Sequence, residues 1–336
     1  MVALDFDPGR LAGYLRARLP GLDGGMVVEP IAGGQSNPTF RLRFAERDLI
    51  LRKQPAGELL PSAHAVDREF RVQKALAGSG VPVPRMEHFC DDRAVIGTLF
   101  YVMEALDGRV LRDPALPGIE PAERAAVYDS MNEVLARLHQ VDWQAIGLEG
   151  FGRPGSYFSR QINRWTRQWY ASKTREIPEI ERLIAWLPEH VPAGDETTIV
   201  HGDYRLGNLM LHPTEPRVIA LLDWELATLG HPLADLAYNC VLYHAAAEDY
   251  GGVLGLDLEA LGIPSQQDYV ARYCERTGRT DGITSFHLAF SMFRFAVIFE
   301  GIAARARAGI AASADAEEVG KLSIVYARRA CALIDE

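Results

Sequence analysis

The chain has 336 residues, of which 48% are hydrophobic and 24% charged, a composition typical of a folded globular protein large enough for two lobes. Its 45 acidic residues exceed its 35 basic ones, for a net charge of −10, and this acidic balance argues against nucleic acid as the main partner. The four cysteines are far apart and include no CxxC pair, so we expect neither a zinc site nor a disulfide framework, and a cytoplasmic location.

No segment of the sequence predicts a membrane partner. The N-terminal residues contain two aspartates and lack the basic region that opens a signal peptide. The most apolar stretch, "FHLAFSMFRFAVIFEGIA", is interrupted by Arg294 and Glu300. It is therefore predicted to be a buried helix rather than a membrane span.

The first 105 residues carry the patterns of a small, strand-rich lobe. "DPGRLAGYLRARL" predicts a short helix, because Asp7 can cap it and Pro8 suits its first position. Alternating apolar residues predict two strands around the turn in "MVVEPIAGGQSNPTFRLRF", a third in "DLILRKQ" and two more in "RAVIGTLFYVMEAL". A helix capped by Ser62 is predicted between the third strand and the last pair.

After residue 105 the pattern changes to mainly helical. "PAERAAVYDSMNEVLARLHQV" has a proline at its start and apolar residues at helical spacing. One pair of short strands, within residues 197–223, interrupts the predicted helices. We therefore predict an α+β chain with a small N-terminal lobe, 1–105, and a larger, mainly helical C-terminal lobe, 106–336.

Three polar residues in and after the loop "HGDYRLGNLML" have the types and the spacing that phosphoryl transfer requires. Asp203 is followed by Asn208 five residues later, and Asp223 ends the next apolar strand. One carboxylate can accept the proton of an attacking hydroxyl, while an amide oxygen and a second carboxylate can hold Mg²⁺ over nucleotide phosphates. The order matches a kinase catalytic loop and its metal-binding aspartate. The alternative is an Asx-rich hairpin loop whose polar groups cap their own backbone.

The segments "IVHGDYRLGNLML" and "LLDWELATLGHPLADLA" resemble the aminoglycoside phosphotransferase family, which also includes choline and homoserine kinases. A narrower similarity, to the kinase-like domain of acyl-CoA dehydrogenase fusion proteins, is carried by "GGQSNPTF", "LRKQPAGELLPSAHAVDREFRVQKAL", "YFSRQINRWTRQWYAS" and "DWELATLGHPLADLAY". The resemblance implies a bilobal protein-kinase-like fold and an ATP- and Mg²⁺-dependent phosphotransferase. It makes Asp203 the catalytic residue and Asn208 and Asp223 the metal ligands. The sequence does not distinguish ATP from GTP.

A kinase of this kind also needs a cation on its third strand, next to a glutamate of the following helix. Strand alternation puts Leu51 and Lys53 on one face and Arg52 on the other. Glu69 interrupts an apolar helical stripe and so needs a cationic partner, unless it lies at the surface. Lys53 is predicted to contact the phosphates and to pair with Glu69, with Arg52 as the alternative.

Two further segments are implied to bind the nucleotide by their place in the family pattern. The glycine turn would cover the triphosphate with backbone amides, although a plain hairpin turn is the alternative. Its residues are Gly33, Gly34, Gln35 and Ser36. The segment joining the lobes would line the adenine pocket and read the base edge through a carbonyl and an amide. Its residues are Met103, Glu104 and Leu106.

Residues around the catalytic loop receive supporting roles. Arg205 is predicted either to neutralise the transferring phosphoryl group or to stiffen the loop through a salt bridge. Asp235 and His201 are predicted to hold the loop backbone, while Glu225 stays open between a second metal ion and solvent. Gly207 departs from the subgroup, which more often has aspartate at that position.

The acceptor is expected to be a small molecule bound on the helical lobe, and an anionic one is favoured. Arg164, Arg167 and Arg294 lie in aromatic or apolar helices and could hold an anion, or pair with the protein's own acidic residues. The narrower resemblance implies a hydroxy-acid or hydroxyacyl-CoA acceptor. The alternatives are an aminoglycoside or other amino alcohol, and a nucleotide-binding regulatory module without turnover. A protein kinase is disfavoured because little room for an activation loop follows Asp223, and the oligomeric state is not determined.

Overall fold

A computed structural model describes residues 4–31, 37–57, 64–309 and 316–335 of the chain. Five strands of its N-terminal part form one antiparallel sheet, in the spatial order β1-β2-β3-β5-β4. In chain order they are β1 (Val27–Pro30), β2 (Thr39–Arg43), β3 (Asp48–Lys53), β4 (Met86–Cys90) and β5 (Phe100–Glu104). The helices that accompany this sheet are α1 (Pro8–Arg16), α2 (Val66–Leu76) and α3 (Arg93–Ile96). We call this part the N-lobe.

Local signals decide several boundaries in the N-lobe. The Asp7 carboxylate accepts a hydrogen bond from the Gly9 amide at 2.8 Å, so the predicted cap of α1 is confirmed. The segment "RAVI" was predicted to be a strand, which is wrong. It forms α3 because the Asp92 carboxylate accepts from the Ala94 amide at 2.8 Å and Gly97 ends the turn with φ 85°. The strand that the prediction lacked is β4.

Helix α2 links the N-lobe to the rest of the protein. It begins at Val66, with Ala65 as an N-cap that makes no side-chain hydrogen bond, while the predicted cap Ser62 lies outside the described residues. Val72 and Leu76 on this helix are fully buried in the apolar core of the C-terminal part. Movement of α2 is therefore coupled to that larger core.

The C-terminal part, which we call the C-lobe, is mainly helical. Its strands form a β10-β7 pair and a β6-β8-β9 sheet. These strands are β6 (Arg109–Val110), β7 (Thr198–Val200), β8 (Leu209–Leu211), β9 (Val218–Leu221) and β10 (Thr228–Gly230). The helices are α4 (Pro121–Gln140), α5 (Tyr157–Ser172), α6 (Pro178–Trp186), α7 (Pro232–Cys240), α8 (Leu258–Leu261), α9 (Gln266–Thr277), α10 (Ser285–Arg307) and α11 (Ala316–Asp335).

Helix α10 is the central helix of the C-lobe. It is long and apolar enough to cross a membrane by length and composition, yet 89% of its most apolar window is buried inside the protein. Its fully buried Glu300 pairs with Arg175 at 2.8 Å and also accepts hydrogen bonds from Thr174, so the charge is compensated. The prediction of a buried core helix is confirmed. The α+β class, with a small sheet lobe and a larger helical lobe, is confirmed as well.

Candidate active site

A cavity of about 600 Å³ lies between the two lobes and is lined by residues of both. We call it the interlobe cavity. Sequence-predicted residues on its wall come from β5, from the segment after β5 and from the C-lobe loops. They are Met103, Glu104, Leu106, Asn208 and Asp223. The cavity has the volume of a cofactor or ligand site, and its walls bring together groups that are more than 100 residues apart in the chain.

The segment that joins the lobes has backbone groups available to the interlobe cavity. Within the described chain, the Leu106 amide donates no hydrogen bond to another residue. The Glu104 side chain is turned toward Arg85, whose amide it accepts at 2.7 Å. An unpaired amide at the cavity wall can pair with the edge of a bound ring.

The predicted pairing of Lys53 with Glu69 is wrong, and Arg52 takes that place. Arg52 lines the interlobe cavity, with its Nε atom 2.7 Å from Glu69 Oε2 and Nη2 2.8 Å from Asp223 Oδ1. Lys53 is fully buried on the opposite face of β3, where its Nζ atom lies 2.6 Å from Asp5 Oδ2.

The alternation along β3 was predicted correctly, but its two faces were assigned the wrong way round. Leu49 and Leu51, which share the face of Lys53, are fully buried in the core beneath α1. Ile50 and Arg52 point the other way, into the interlobe cavity. Two neighbouring basic residues on a strand cannot be told apart by periodicity alone, since the period defines two faces and not what covers each.

Glu69 is held by several groups besides Arg52. Its carboxylate accepts hydrogen bonds from Tyr101 at 3.0 Å and from Asn37 at 2.7 Å. Burial raises the pKa of Glu69, and the positive charge of Arg52 opposes that shift. Burial opposes the charge on Arg52, yet Glu69 and Asp223 together raise the pKa of its guanidinium. A cation is therefore fixed at the cavity wall.

The predicted glycine turn at Gly33, Gly34, Gln35 and Ser36 lies outside the described residues. Asn37, which follows it, is fully buried and bonds both Glu69 and His64. The end of this turn is therefore tied to α2 and to the arginine site. Sequence reasoning did not single out Asn37.

The loop from His201 to Asn208, which the sequence predicts to be catalytic, is held through its backbone amides. Asp235 Oδ2 accepts from the His201 amide at 2.6 Å and Oδ1 from the Gly202 amide at 2.9 Å. The His201 ring bonds the Leu222 carbonyl at 2.9 Å. The predicted holding roles of Asp235 and His201 are confirmed. Gly202 has φ 85°, and a Cβ there would lie 2.8 Å from the Leu226 carbonyl oxygen, so only glycine fits.

A histidine contacts the Asp235 carboxylate that holds these loop amides. His139 lies 3.4 Å from Asp235 through Nε2 and 2.6 Å from the Tyr273 hydroxyl through Nδ1. Burial alone would raise the pKa of Asp235, but the hydrogen bond with His139 and the Gly202 amide lower it. Asp235 therefore stays an acceptor for the loop amides.

The Asp203 carboxylate lies at the centre of the loop and is surrounded by donors. Asn208 Nδ2 donates to Oδ2 at 2.7 Å, and Arg205 Nε lies 3.2 Å from Oδ1. The Tyr238 hydroxyl donates to Oδ1 at 2.5 Å. The salt bridge foreseen for Arg205 is therefore present. Tyr238 was not foreseen, although it lies three residues after Asp235 and so on the same face of α7.

Asn208 and Asp223 supply oxygen atoms at the wall of the interlobe cavity. The amide nitrogen of Asn208 is bonded to Asp203, and its amide oxygen accepts no hydrogen bond from any other described residue. Asp223 has φ 62°, a left-handed conformation that is strained for a residue with a side chain and is typical of functional sites.

Carboxylate and amide oxygens suit Mg²⁺, which uses few protein ligands together with phosphate oxygens and water. The oxygen atoms present therefore fit this ion, and Asn208 and Asp223 could hold it. The described residues contain no group of three or more His, Cys, Asp or Glu that could hold a metal without help from a ligand. Glu225, the other acidic residue nearby, is exposed.

A second, smaller cavity of about 70 Å³ is lined by Arg205 and Tyr238, which both bond Asp203, and we call it the side cavity. Gly207 and Arg112 line both cavities. A Cβ at Gly207 would lie 3.2 Å from Arg205 Nη1 and 3.8 Å from the Arg112 side chain. A residue larger than glycine would therefore stand between the two arginines, at the junction of the cavities.

The three arginines considered for acceptor binding are not on the wall of the side cavity. Arg164 and Arg167 are exposed on α5. Arg294 is 4% exposed and donates through Nη2 to the Gly202 carbonyl at 3.0 Å. Its guanidinium lies 5.1 Å from the Tyr238 ring centre. Arg294 therefore holds the backbone of the same loop at Gly202.

A two-lobed fold with this loop facing a cavity between the lobes is that of the protein-kinase-like phosphotransferases. The model of the phosphotransferase enzyme family, APH, matches residues 27–272, and the chain belongs to that family. A crystal structure of a putative aminoglycoside phosphotransferase from Ralstonia eutropha JMP134 is 49% identical, with a TM-score of 0.90 and coverage of 98% of both chains. The predicted family and kinase-like fold are confirmed.

Two curated relatives carry the narrower similarity. Acyl-CoA dehydrogenase family member 10 of Mus musculus is 50% identical over 293 residues, which are 86% of this chain and 27% of that protein. Acyl-CoA dehydrogenase family member 11 of Gallus gallus is 43% identical over 328 residues, or 94% of this chain and 42% of that protein. The chain thus spans less than half the length of these relatives.

Proposed function

We propose that the protein is an ATP- and Mg²⁺-dependent kinase that phosphorylates the hydroxyl group of a small anionic acceptor, a hydroxy acid or its CoA thioester. The observation that carries this proposal is the pair of cavities that meet at Gly207 and Arg112. The interlobe cavity has the size for a nucleoside triphosphate, and Arg52 provides a fixed cation on its wall. The side cavity offers the acceptor a place next to Arg205 and Tyr238, which both bond the Asp203 carboxylate that would take its proton.

The reaction requires a base, a phosphate clamp and an open path between them. Asp203 accepts the proton of the acceptor hydroxyl while the oxygen attacks the γ-phosphorus and the bond to the β-phosphate oxygen breaks. Arg52, fixed by Glu69, contacts the phosphates in the role first assigned to Lys53. Asn208 and Asp223 hold Mg²⁺, which when bound neutralises phosphate charge.

The chemistry of the side cavity supports an anionic acceptor with an apolar chain. Arg112 and Arg205 line this cavity, and no acidic residue lies on its described wall. The remaining wall is largely apolar, with Leu242, Phe295 and Tyr326 among its residues. A polycationic amino sugar would meet two guanidinium groups there, which costs free energy without a counter-charge. The acyl-CoA dehydrogenase names of the two relatives also support an acyl acceptor.

The proposed acceptor class is tested with the purified chain and Mg-ATP. The panel contains 3- and 4-hydroxy acids, their CoA thioesters, choline and an aminoglycoside, with ADP release and ³¹P NMR of the product as readouts. We expect kcat/KM for an anionic acceptor to exceed that for the cationic ones by at least about 100-fold.

Two other outcomes would contradict this assignment. Preference for choline or the aminoglycoside would make the protein an amino-alcohol kinase. Thermal stabilisation by ATP without phosphorylation of any acceptor would make it a nucleotide-binding module.

Adjacent basic residues on β3 provide a matched pair of variants. Arg52→Met is expected to weaken nucleotide binding by at least about 10-fold, because it removes the cation at the cavity wall and leaves Glu69 unpaired. Lys53→Met should leave nucleotide affinity within about twofold of wild type, because the Lys53 side chain lies on the face of β3 that is turned away from the interlobe cavity. Calorimetric titration of Mg-ATP into each folded variant measures the difference. Equal losses in both variants would contradict the assignment of Arg52.

A further inference from the structure

Three side chains donate hydrogen bonds to the Asp203 carboxylate and limit the access of a substrate to it. Oδ1 accepts from Tyr238 at 2.5 Å, and Arg205 Nε lies 3.2 Å from Oδ1 and 3.3 Å from Oδ2. Oδ2 also accepts from Asn208 at 2.7 Å. Three donor hydrogens thus face the carboxylate, and the single Arg205 Nε hydrogen is shared between both oxygens. Departure of that shared hydrogen would open the carboxylate to the proton of an acceptor hydroxyl.

The donors differ in how easily they can leave. The Arg205 side chain is 42% exposed, and its contacts with the carboxylate are the longest of the set. Tyr238 is 7% exposed, with its ring stacked on Phe295 at 4.8 Å and an interplanar angle of 15°. The guanidinium of Arg294 lies 5.1 Å from the same ring centre. Arg205 can move with little loss of packing, whereas Tyr238 cannot.

Tyr238 also keeps its proton. Burial and the negative charge of Asp203 raise the pKa of Tyr238 well above its usual range. The phenol therefore remains a neutral donor, which can support the carboxylate without competing for the acceptor's proton. Its ring is part of the wall of the side cavity, so the group that holds the base also borders the proposed acceptor site.

We propose that Tyr238 is a positioning residue for Asp203, an inference that rests on the kinase activity proposed above. The Tyr238 hydroxyl stays bonded to Oδ1 throughout turnover and sets the orientation of the carboxylate. Arg205 is the exchangeable donor: it leaves Asp203 for the transferring phosphoryl group and frees the lone pair that the acceptor hydroxyl then takes. Binding of the two substrates and activation of the base are thereby coupled through one carboxylate.

The test removes the hydroxyl and retains the ring. Tyr238→Phe is expected to lower kcat by about 10- to 100-fold, because a misoriented base loses much of its effect. The KM for ATP should stay within about twofold of wild type, since the tyrosine does not contact the interlobe cavity. Tyr128→Phe is the matched control. That tyrosine is also buried in the C-lobe, and its hydroxyl donates to the Pro114 carbonyl at 2.7 Å instead of to Asp203.

A second variant separates the hydroxyl from the packing of the ring. Tyr238→Leu lacks both the hydroxyl and the ring, so its kcat should equal that of Tyr238→Phe if loss of the hydroxyl alone causes the effect. Wild-type kcat in Tyr238→Phe, with a loss only in Tyr238→Leu, would overturn the proposal in favour of a packing role.

A measurement that needs no acceptor distinguishes failure of this inference from failure of the proposed function. Unfolding midpoints of wild type, Tyr238→Phe, Asp203→Ala and the double variant form a cycle, and coupled residues give non-additive shifts. If the shifts are non-additive but the wild-type protein phosphorylates no acceptor, the contact between Tyr238 and Asp203 is supported and the proposed kinase function is wrong. Additive shifts together with an unchanged kcat in an active protein would sink the positioning role alone.

Discussion

Asp203→Asn is expected to lower kcat by about three orders of magnitude, because asparagine cannot accept the proton of the attacking hydroxyl. The substitution is nearly isosteric, and its amide oxygen can still accept from Tyr238 or Asn208, so the loop should keep its conformation. Nucleotide affinity should change by no more than about twofold. Steady-state kinetics and a Mg-ATP titration on the same preparation measure the two effects.

The control for this substitution is Asp91→Asn, an exposed aspartate in the N-lobe that is remote from both cavities. It should behave as wild type in both measurements. Turnover of Asp203→Asn close to wild type would mean that the proton goes elsewhere, and the assignment of the catalytic loop would be wrong.

Asp223→Asn is expected to abolish the Mg²⁺ dependence of nucleotide binding and to lower affinity by about 10- to 100-fold in the presence of the metal. The reason is the loss of the one charged ligand in the proposed site. Asparagine tolerates the left-handed backbone that Asp223 adopts, so the substitution removes charge without forcing the chain to move.

Chelation provides the internal control. With EDTA present, wild type and Asp223→Asn should bind the nucleotide with similar affinity, because neither then has a metal to share with the phosphates. A variant that keeps the full response to Mg²⁺ would show that the metal ligands lie elsewhere. The variant also removes one partner of Arg52, which is 2.8 Å from Asp223, so an unfolding midpoint is measured alongside.

Sequence reasoning was most successful where the chemistry is local. The residues from His201 to Asn208 form one short loop, and the predicted proximity of Asp203 and Asn208 is confirmed by a hydrogen bond of 2.7 Å between their side chains. Helix α1 was also set by neighbours in sequence, through Asp7 and Pro8. In each case the interacting groups lie within about one turn of chain, where backbone geometry leaves few arrangements.

The predictions were wrong where the sequence did not show which face of a strand is covered, or whether a short apolar segment is a strand or a helix. Periodicity separated Arg52 from Lys53 but did not reveal that α1 covers the face of Lys53. The strand predicted over "RAVI" became α3, because a capping aspartate and a left-handed glycine outweighed its β-branched residues. A residue such as Tyr238 could have been found by its helical spacing from Asp235, but spacing does not tell that its hydroxyl reaches Asp203.

The sequence by itself determined the family, the two-lobed α+β class and the polar set Asp203, Asn208 and Asp223, because these depend on residue types at short, regular spacings. Only the tertiary structure decided that Arg52 pairs with Glu69, that Gly207 lies where two cavities meet and that the Tyr238 hydroxyl donates to Asp203. The Arg52–Glu69 and Tyr238–Asp203 contacts join residues 17 and 35 positions apart. Their distances depend on how helices and sheets pack, which no local pattern encodes.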